Sequence, residues 1–223
     1  MEFKGIIANF LGDSITEGHG VEDWRTQTFH QLLKEKMGFK EARNYGVGGT
    51  RIAKQHTPSF HARHDLDFVL RAKDMENDAD LVVVFGGTND FGHGDALFGD
   101  KNDKTNDTFC GALEVLYTLL REKYPTAKIV VLTPLHRWGD GSTCGQAREQ
   151  DSKKPEGSHP LKDYVEAIKD AAQRHGFYII DLFNDERLSY EGHKEYFPDG
   201  LHPNPLGHTA IAKVVEEGLL KME

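Results

Sequence analysis

The chain has 223 residues, enough for one sizeable α/β domain, and no break in its composition divides it in two, so we expect one domain over residues 1–223. Asp and Glu outnumber Lys and Arg by 36 to 27, which gives a formal net charge of -9 at pH 7. Because this charge opposes attraction to phosphate backbones and anionic lipid surfaces, it argues against nucleic-acid and membrane partners.

The cysteines and the N-terminal residues carry no mark of a secreted protein. Cys110 lies in a predicted helix and Cys144 in a predicted loop, and their spacing fits neither a disulfide framework nor a zinc site. The first residues hold a short apolar stretch without a small-residue cleavage site, and no later run has the length of a membrane span. We therefore expect a cytoplasmic protein with free thiols.

Short apolar runs alternate with helical patterns along the chain. The runs predict strands at 6–11, 42–45, 80–85, 128–133 and 177–182, most of them continuous as in strands buried on both faces of a sheet. Five such strands separated by helices predict a doubly wound parallel sheet with right-handed crossovers. The most common order for five strands is the flavodoxin-like one.

Apolar residues at helical spacing predict the helices between these strands. Gly38 stands where a helix C-terminus favours glycine, and Asn204 followed by Pro205 forms a start signal for the last helix. The predicted helices cover 29–37, 60–76, 109–120, 161–172 and 205–219. Residues 135–158 form a long polar loop, and loops of that length in compact domains commonly have a function.

The first predicted strand stops at Gly12, Asp13 and Ser14. A side chain just after an apolar strand lies at the carboxyl edge of a parallel sheet, where open α/β proteins bind their ligands. A serine hydroxyl is a poor nucleophile at neutral pH, so catalysis by Ser14 would require a histidine base, a carboxylate and donors for an oxyanion.

A proline-flanked turn near the C-terminus contains Asp199 and His202. Because a residue before proline is excluded from helical φ and ψ angles, we expect His202 to be extended after a turn at Gly200. A carboxylate three residues before a histidine in a stiff turn can accept a hydrogen bond from one ring nitrogen. The other ring nitrogen is then free to face Ser14.

Two glycine-rich stretches follow predicted strands, GVGGT at 46–50 and GGTND at 86–90. Glycine at such positions permits left-handed backbone or the close approach of another group. The first stretch fits neither the dinucleotide-binding pattern nor the P-loop, so phosphate binding is a poor interpretation.

Together these stretches resemble the four ordered blocks of the GDSL, or SGNH, hydrolase superfamily. Each block alone is a weak signal, whereas four in the right order across nearly the whole chain are a strong one. The blocks are GDS at 12–14, NxGxGG at 44–49, GGTND at 86–90 and DxxHP at 199–203.

This resemblance implies a catalytic triad of Ser14 as nucleophile with His202 and Asp199. It also implies a three-layer α/β/α sandwich with a five-stranded parallel sheet, and neither a metal nor an organic cofactor. The pattern of the strands and the residues of the C-terminal turn agree with these expectations.

In the same way the resemblance implies an oxyanion hole made by the amides of Ser14 and Gly49 and the side chain of Asn89. Gly48 is the alternative to Gly49. The pattern departs from the family name at Ile15, where an isoleucine replaces leucine. Alternatively, Asn89 and Gly49 serve only the local turn geometry.

The substrate expected from sequence is a small or saccharide ester with a short acyl group, such as an O-acetyl group on carbohydrate. Aromatic residues in predicted loops suit a sugar surface, or else pack beneath their loops. The histidines at 56, 61 and 64 match no metal-ligand spacing and favour a solvated helix face. The candidate substrate-binding residues are Trp24, Phe91, His136 and Trp138.

The sequence is also compatible with other functions. Within the same fold they are lysophospholipase, thioesterase and arylesterase activity. Outside catalysis they are a carbohydrate- or lipid-binding module and a nucleotide-binding flavodoxin-like protein.

Overall fold

A five-stranded parallel sheet forms the centre of the computed structural model, which describes residues 2–137, 159–189 and 193–222. All neighbouring strands are parallel, in the order β2-β1-β3-β4-β5, so the predicted flavodoxin-like order is confirmed. The strands are β1 (Ile7–Gly12), β2 (Glu41–Gly46), β3 (Leu81–Phe85), β4 (Lys128–Leu132) and β5 (Tyr178–Ile180).

Helices cover both faces of the sheet and make the three-layer α/β/α sandwich. Short 3₁₀ turns lie at Ala62–Asp65 and Glu186–Leu188. The α-helices are α1 (Ser14–Glu17), α2 (Trp24–Gln27), α3 (Phe29–Met37), α4 (Phe68–Asp74), α5 (Thr88–His93), α6 (Phe109–Lys123), α7 (Leu161–Arg174), α8 (His193–Tyr196) and α9 (Pro205–Leu220).

The alternation of side chains along β3 divides the core between the two faces. Val82 and Val84 pack with α4, α6 and α7 on one face. Leu81, Val83 and Phe85 pack with α3 and α9 on the other. Successive side chains of a strand point to opposite faces, so a continuous apolar run supplies both cores at once.

The predicted C-terminus of α3 and the predicted N-terminus of α9 are confirmed. Gly38 closes α3 in the left-handed region with φ of 72°. Asn204 caps α9, because its Oδ1 accepts the Gly207 N–H at 3.0 Å, and Pro205 is the first residue of that helix. No helix within the described ranges has both the length and the apolar character needed to cross a membrane.

The predicted helix at 60–76 is wrong in its extent. The chain forms a 3₁₀ turn at Ala62–Asp65 and a helix only from Phe68 to Asp74. Asp67 starts that helix by accepting the Leu70 N–H at 2.9 Å. The histidines of 56–64 therefore do not share one solvated helix face. Most of the predicted 135–158 loop, with Cys144, lies outside the described residues.

Candidate active site

Ser14 lies just beyond the carboxyl end of β1, which pairs with β2 and β3, and is the first residue of α1. The bend requires Gly12, because a Cβ there would lie 1.9 Å from Thr16 Oγ1. Asp13 then caps α1 by accepting the Ile15 N–H at 3.0 Å. The predicted loop is thus a tight strand-to-helix transition, which fixes the direction of the serine side chain.

The C-terminal turn brings its histidine to this serine. His202 Nε2 lies 2.9 Å from Ser14 Oγ, and His202 Nδ1 lies 2.6 Å from Asp199 Oδ2. Asp199 Oδ1 accepts the backbone N–H groups of His202 at 2.7 Å and of Leu201 at 2.9 Å. Gly200 makes the turn possible with φ of 79°. Three residues from two distant parts of the sequence therefore form one hydrogen-bonded chain.

The protonation states follow from the surroundings of this pair. Burial lowers the pKa of His202, and the hydrogen bond from its ring to Asp199 opposes that shift only in part. Burial alone would raise the pKa of Asp199, but hydrogen bonds from the His202 ring and from backbone amides bring that pKa below its usual value. At neutral pH a neutral imidazole thus lies beside an ionised carboxylate, which suits a general base.

The glycine-rich loop after β2 lies close to Ser14. The Gly48 N–H donates to Glu17 Oε2 at 2.7 Å, so that amide is already engaged. Gly49 has φ of 75°, and across the described ranges its N–H meets no hydrogen-bond acceptor. Of the two candidate glycines, Gly49 is the one whose amide is available to a ligand.

Asn89 lies at the start of α5 and is 4 % exposed. Its Nδ2 donates one hydrogen to the Thr50 carbonyl at 2.9 Å, and its Oδ1 accepts from His93 Nε2 at 3.2 Å. A side-chain amide carries two N–H donors, so the second one remains for another acceptor. The bond to Thr50 also fixes Asn89 against the loop that carries Gly49.

Arg51 is a site residue that the sequence analysis missed. Its guanidinium is 3 % exposed and donates to the Gly49 carbonyl at 3.2 Å, the His64 carbonyl at 3.0 Å and Asp65 Oδ1 at 2.9 Å. Asp65 compensates the buried charge, as a buried ion requires. The position of an arginine directly after GVGGT is the signal that could have marked it, since a glycine loop needs partners for its carbonyls.

Two carboxyl groups behind the site are buried. Burial raises the pKa of Asp13 to about 7 and that of Asp90 to about 6. Asp90 accepts the backbone N–H groups of Ile52 at 3.0 Å and Ala53 at 2.9 Å, which joins the chain after the glycine loop to α5. Asp13 and Asp90 thus both bind backbone N–H groups near the site.

Phe91 is buried in the core. The ring is 4 % exposed and packs edge-on against Tyr164 at 5.9 Å between ring centroids. The Arg137 guanidinium lies 5.5 Å from the centre of the Phe91 ring and donates to the Thr88 carbonyl at 2.9 Å. Phe91 is therefore a buried residue of α5 that packs in the core, and its contact with a substrate stays a prediction.

The other aromatic candidates lie in different surroundings. Trp24 is 40 % exposed at the start of α2, and the Arg25 guanidinium stacks on it at 4.6 Å. His136 follows β4, and its ring lies 3.8 Å from that of Phe183. Trp138 lies outside the described residues.

Known proteins of similar sequence and fold match this chain over most of its length. A curated relative, platelet-activating factor acetylhydrolase IB subunit alpha1 from Bos taurus, is 26 % identical over 220 residues, which cover 96 % of this chain and 75 % of the relative. A crystal structure of a protein from Lactobacillus plantarum is 27 % identical and superposes with a TM-score of 0.81, covering 100 % of this chain and 99 % of that one. The acetyl xylan esterase AlAXEase has the same fold, with 21 % identity and a TM-score of 0.62 over 96 % of this chain and 100 % of that one.

The match to a family model extends over most of the chain. The model of the GDSL-like lipase/acylhydrolase family matches residues 10–210. That range contains Ser14, both glycine-rich stretches and the turn with Asp199 and His202. The chain therefore belongs to the GDSL-like lipase/acylhydrolase family of hydrolases.

Proposed function

We propose that this protein is a serine esterase that hydrolyses esters of short acyl groups. The observation that carries the proposal is the hydrogen-bonded chain from Asp199 through His202 to Ser14, with heavy-atom distances of 2.6 Å and 2.9 Å. The distance between Ser14 and His202 lies in the range required for proton transfer from a nucleophile to a base, and the distance between His202 and Asp199 is that of a hydrogen bond. In the proposed catalytic triad Ser14 is the nucleophile, His202 the base and Asp199 the carboxylate that orients the base.

In this mechanism Ser14 Oγ attacks the ester carbonyl while His202 Nε2 accepts its proton. The ionised Asp199 stabilises the imidazolium and holds its ring in place. Collapse of the tetrahedral intermediate releases the alcohol, which takes the proton from His202, and leaves an acyl group on Ser14. Water, deprotonated by the same histidine, then releases the acid and restores the serine.

The oxyanion of each tetrahedral intermediate needs fixed donors. We assign this role to the backbone amides of Ser14 and Gly49 and to the free Nδ2 hydrogen of Asn89. The engaged Gly48 amide and the anchored Asn89 side chain support this choice. Donors that are oriented before the reaction stabilise the developing charge at little cost in reorganisation.

The preferred substrate in this proposal carries an acetyl or similarly short acyl group, such as an O-acetyl group on a carbohydrate. Platelet-activating factor acetylhydrolase and acetyl xylan esterase, which the chain resembles, both carry acetyl in their names. The backbone of Gly48 passes close to Ser14, because a Cβ on Gly48 would lie 3.5 Å from Ser14 Cβ. A glycine beside the nucleophile suits a small acyl group in this proposal.

A fluorophosphonate probe tests the proposed chemistry. We expect the wild-type protein to be modified at Ser14 and the Ser14→Ala variant to stay unlabelled. A wild-type protein that remains unlabelled would indicate a binding module without turnover. Hydrolysis of p-nitrophenyl acetate, butyrate and octanoate then tests the substrate, with acetate expected to have the highest kcat/KM. A preference for octanoate would instead support lysophospholipase or long-chain thioesterase activity.

A further inference from the structure

A second histidine lies directly against the proposed catalytic base. His19, in the loop after α1, has its ring centroid 4.1 Å from that of His202, with 56° between the ring planes. Its backbone N–H donates to the Ser14 carbonyl at 2.9 Å, which fixes where the loop passes. The triad mechanism gives this second imidazole no task.

His19 completes a group of potential metal ligands. One ligating atom each from His19, Asp199 and His202 lies within 4.8 Å of the others. Among the described residues, no other group of three His, Cys, Asp or Glu side chains has its ligating atoms this close together. Two imidazoles and one carboxylate are a donor set that Zn²⁺ accepts in proteins, with a fourth position open for water. Mg²⁺ and Ca²⁺ prefer oxygen donors and suit the set poorly.

The side chains have room to close around an ion. Ligands of tetrahedral zinc lie about 2 Å from the metal and thus about 3.3 Å from one another, so the group must contract modestly. His19 is exposed, and within the described ranges no hydrogen bond restrains its ring. The Asp199 side chain is 53 % exposed and can turn towards an incoming ion.

We propose that His19, His202 and Asp199 form an inhibitory binding site for Zn²⁺. If Nε2 of His202 binds the ion, its lone pair can no longer accept the serine proton. If Nδ1 binds the ion, the ring proton moves from Nδ1 to Nε2, which then has no lone pair to accept the serine proton. Coordination through either nitrogen therefore prevents His202 from acting as the general base.

The charges around the site set its selectivity. Burial is the main reason that the pKa of His202 is lowered, and the positive charge of Arg137 lowers that pKa further, so the same charge opposes any cation held only by long-range attraction. An ion must gain its affinity from short-range bonds to nitrogen and oxygen, which favours Zn²⁺ over weakly coordinating ions. The net charge of -9 favours the approach of a cation from solution.

The test uses ZnCl₂ in calorimetric titrations of the full-length, metal-free protein. His19→Phe keeps a ring against His202 but removes the ligating nitrogens, and His61→Phe makes the same change at another exposed histidine. We expect one Zn²⁺ per wild-type chain, unchanged binding in His61→Phe, and a dissociation constant for His19→Phe that is at least about tenfold higher, since loss of even an outer partner of a metal ligand costs that much. Equal affinities in wild type and His19→Phe would overturn the proposal.

Hydrolysis provides the second readout. Saturating Zn²⁺ should abolish p-nitrophenyl acetate hydrolysis by the wild type, with recovery on addition of EDTA, while His19→Phe should hydrolyse the ester at the wild-type rate and resist the ion. Full activity of the zinc-bound wild type would contradict an inhibitory site. Only the inhibitory effect of the ion rests on the proposed esterase activity. If the protein is not an esterase, metal-free protein will not hydrolyse the ester, whereas the calorimetric test of zinc binding is unaffected.

Discussion

The Glu17 carboxylate accepts the backbone N–H of Gly48 at 2.7 Å. This contact connects α1, which begins with Ser14, to the loop that carries Gly49. The other carboxylate oxygen of Glu17 forms an ion pair with Arg63. Charge-assisted hydrogen bonds are stronger than neutral ones, so Glu17 fixes the peptide plane just before the proposed oxyanion donor.

Glu17→Ala should lower kcat about tenfold or more with little change in KM, because a hydrogen bond to a charged group contributes about 1.5–3 kcal/mol. Glu17→Gln keeps an acceptor oxygen and should recover part of the rate. Steady-state kinetics on p-nitrophenyl acetate measures both parameters. Glu22→Gln changes an exposed acid on the next loop and serves as the control. A kcat for Glu17→Ala equal to that of the wild type would show that Gly48 needs no such partner.

Asn89→Ala should lower kcat by roughly a hundredfold or more, the usual effect of removing one oxyanion donor. The same variant loses the bond to the Thr50 carbonyl, so thermal unfolding must be compared with the wild type. A melting temperature equal to that of the wild type together with a reduced kcat would show that Asn89 stabilises the transition state rather than the fold. Unchanged turnover would remove Asn89 from the oxyanion hole.

The pH dependence of hydrolysis should report the titration of His202. Burial lowers the pKa of this ring below its ordinary value of 6.5, and the base must be neutral to accept the serine proton. Measured from mildly acidic to neutral pH, kcat/KM should therefore rise with pH and reach half of its maximum below pH 6.5. A profile that stays flat over this range would contradict the assignment of His202 as the base.

A buried histidine should make the fold sensitive to acid. His30 is fully buried, its Nε2 lies 3.0 Å from the Thr16 carbonyl, and burial lowers its pKa from 6.5 to about 4. The unfolded chain binds this proton more readily, so the contribution of His30 to stability is complete above pH 6.5 and is lost as pH falls towards 4.

His30→Gln keeps a donor for the Thr16 carbonyl but cannot be protonated. Between pH 6.5 and pH 4 the stability of the wild type should fall relative to this variant by up to about 3 kcal/mol, at about 1.4 kcal/mol for each unit of pKa shift. Urea unfolding at both pH values measures the difference, with His61→Gln as an exposed control. Parallel losses in wild type and His30→Gln would mean that another group governs acid unfolding.

Local signals predicted much of the fold. Gly38, Asn204 and Pro205 ended or started their helices as expected, because caps depend on a few neighbouring residues. Continuous apolar runs such as 80–85 marked the strands, since burial on both faces leaves no polar positions. The turn around Gly200 was also predictable, because proline and glycine restrict or extend backbone angles locally.

Features that depend on distant partners escaped the sequence analysis. The roles of Glu17 and Arg51 come from backbone atoms of the glycine-rich loop, and no periodic pattern records such contacts. Phe91 follows a polar stretch, yet α7 brings Tyr164 over it and buries it. The helix predicted over 60–76 failed because Asp67 is a stronger start signal than the apolar spacing before it.

The position of His202 just before α9 has a consequence for shortened forms of the protein. Ile211, Val215 and Leu219 of that helix are fully buried and belong to the core on one side of the sheet, which α9 shares with α3. A cut upstream of the turn would therefore remove the base and uncover a large apolar surface together. Proteolysis or premature termination there should therefore yield insoluble protein rather than a folded but inactive protein that still binds esters.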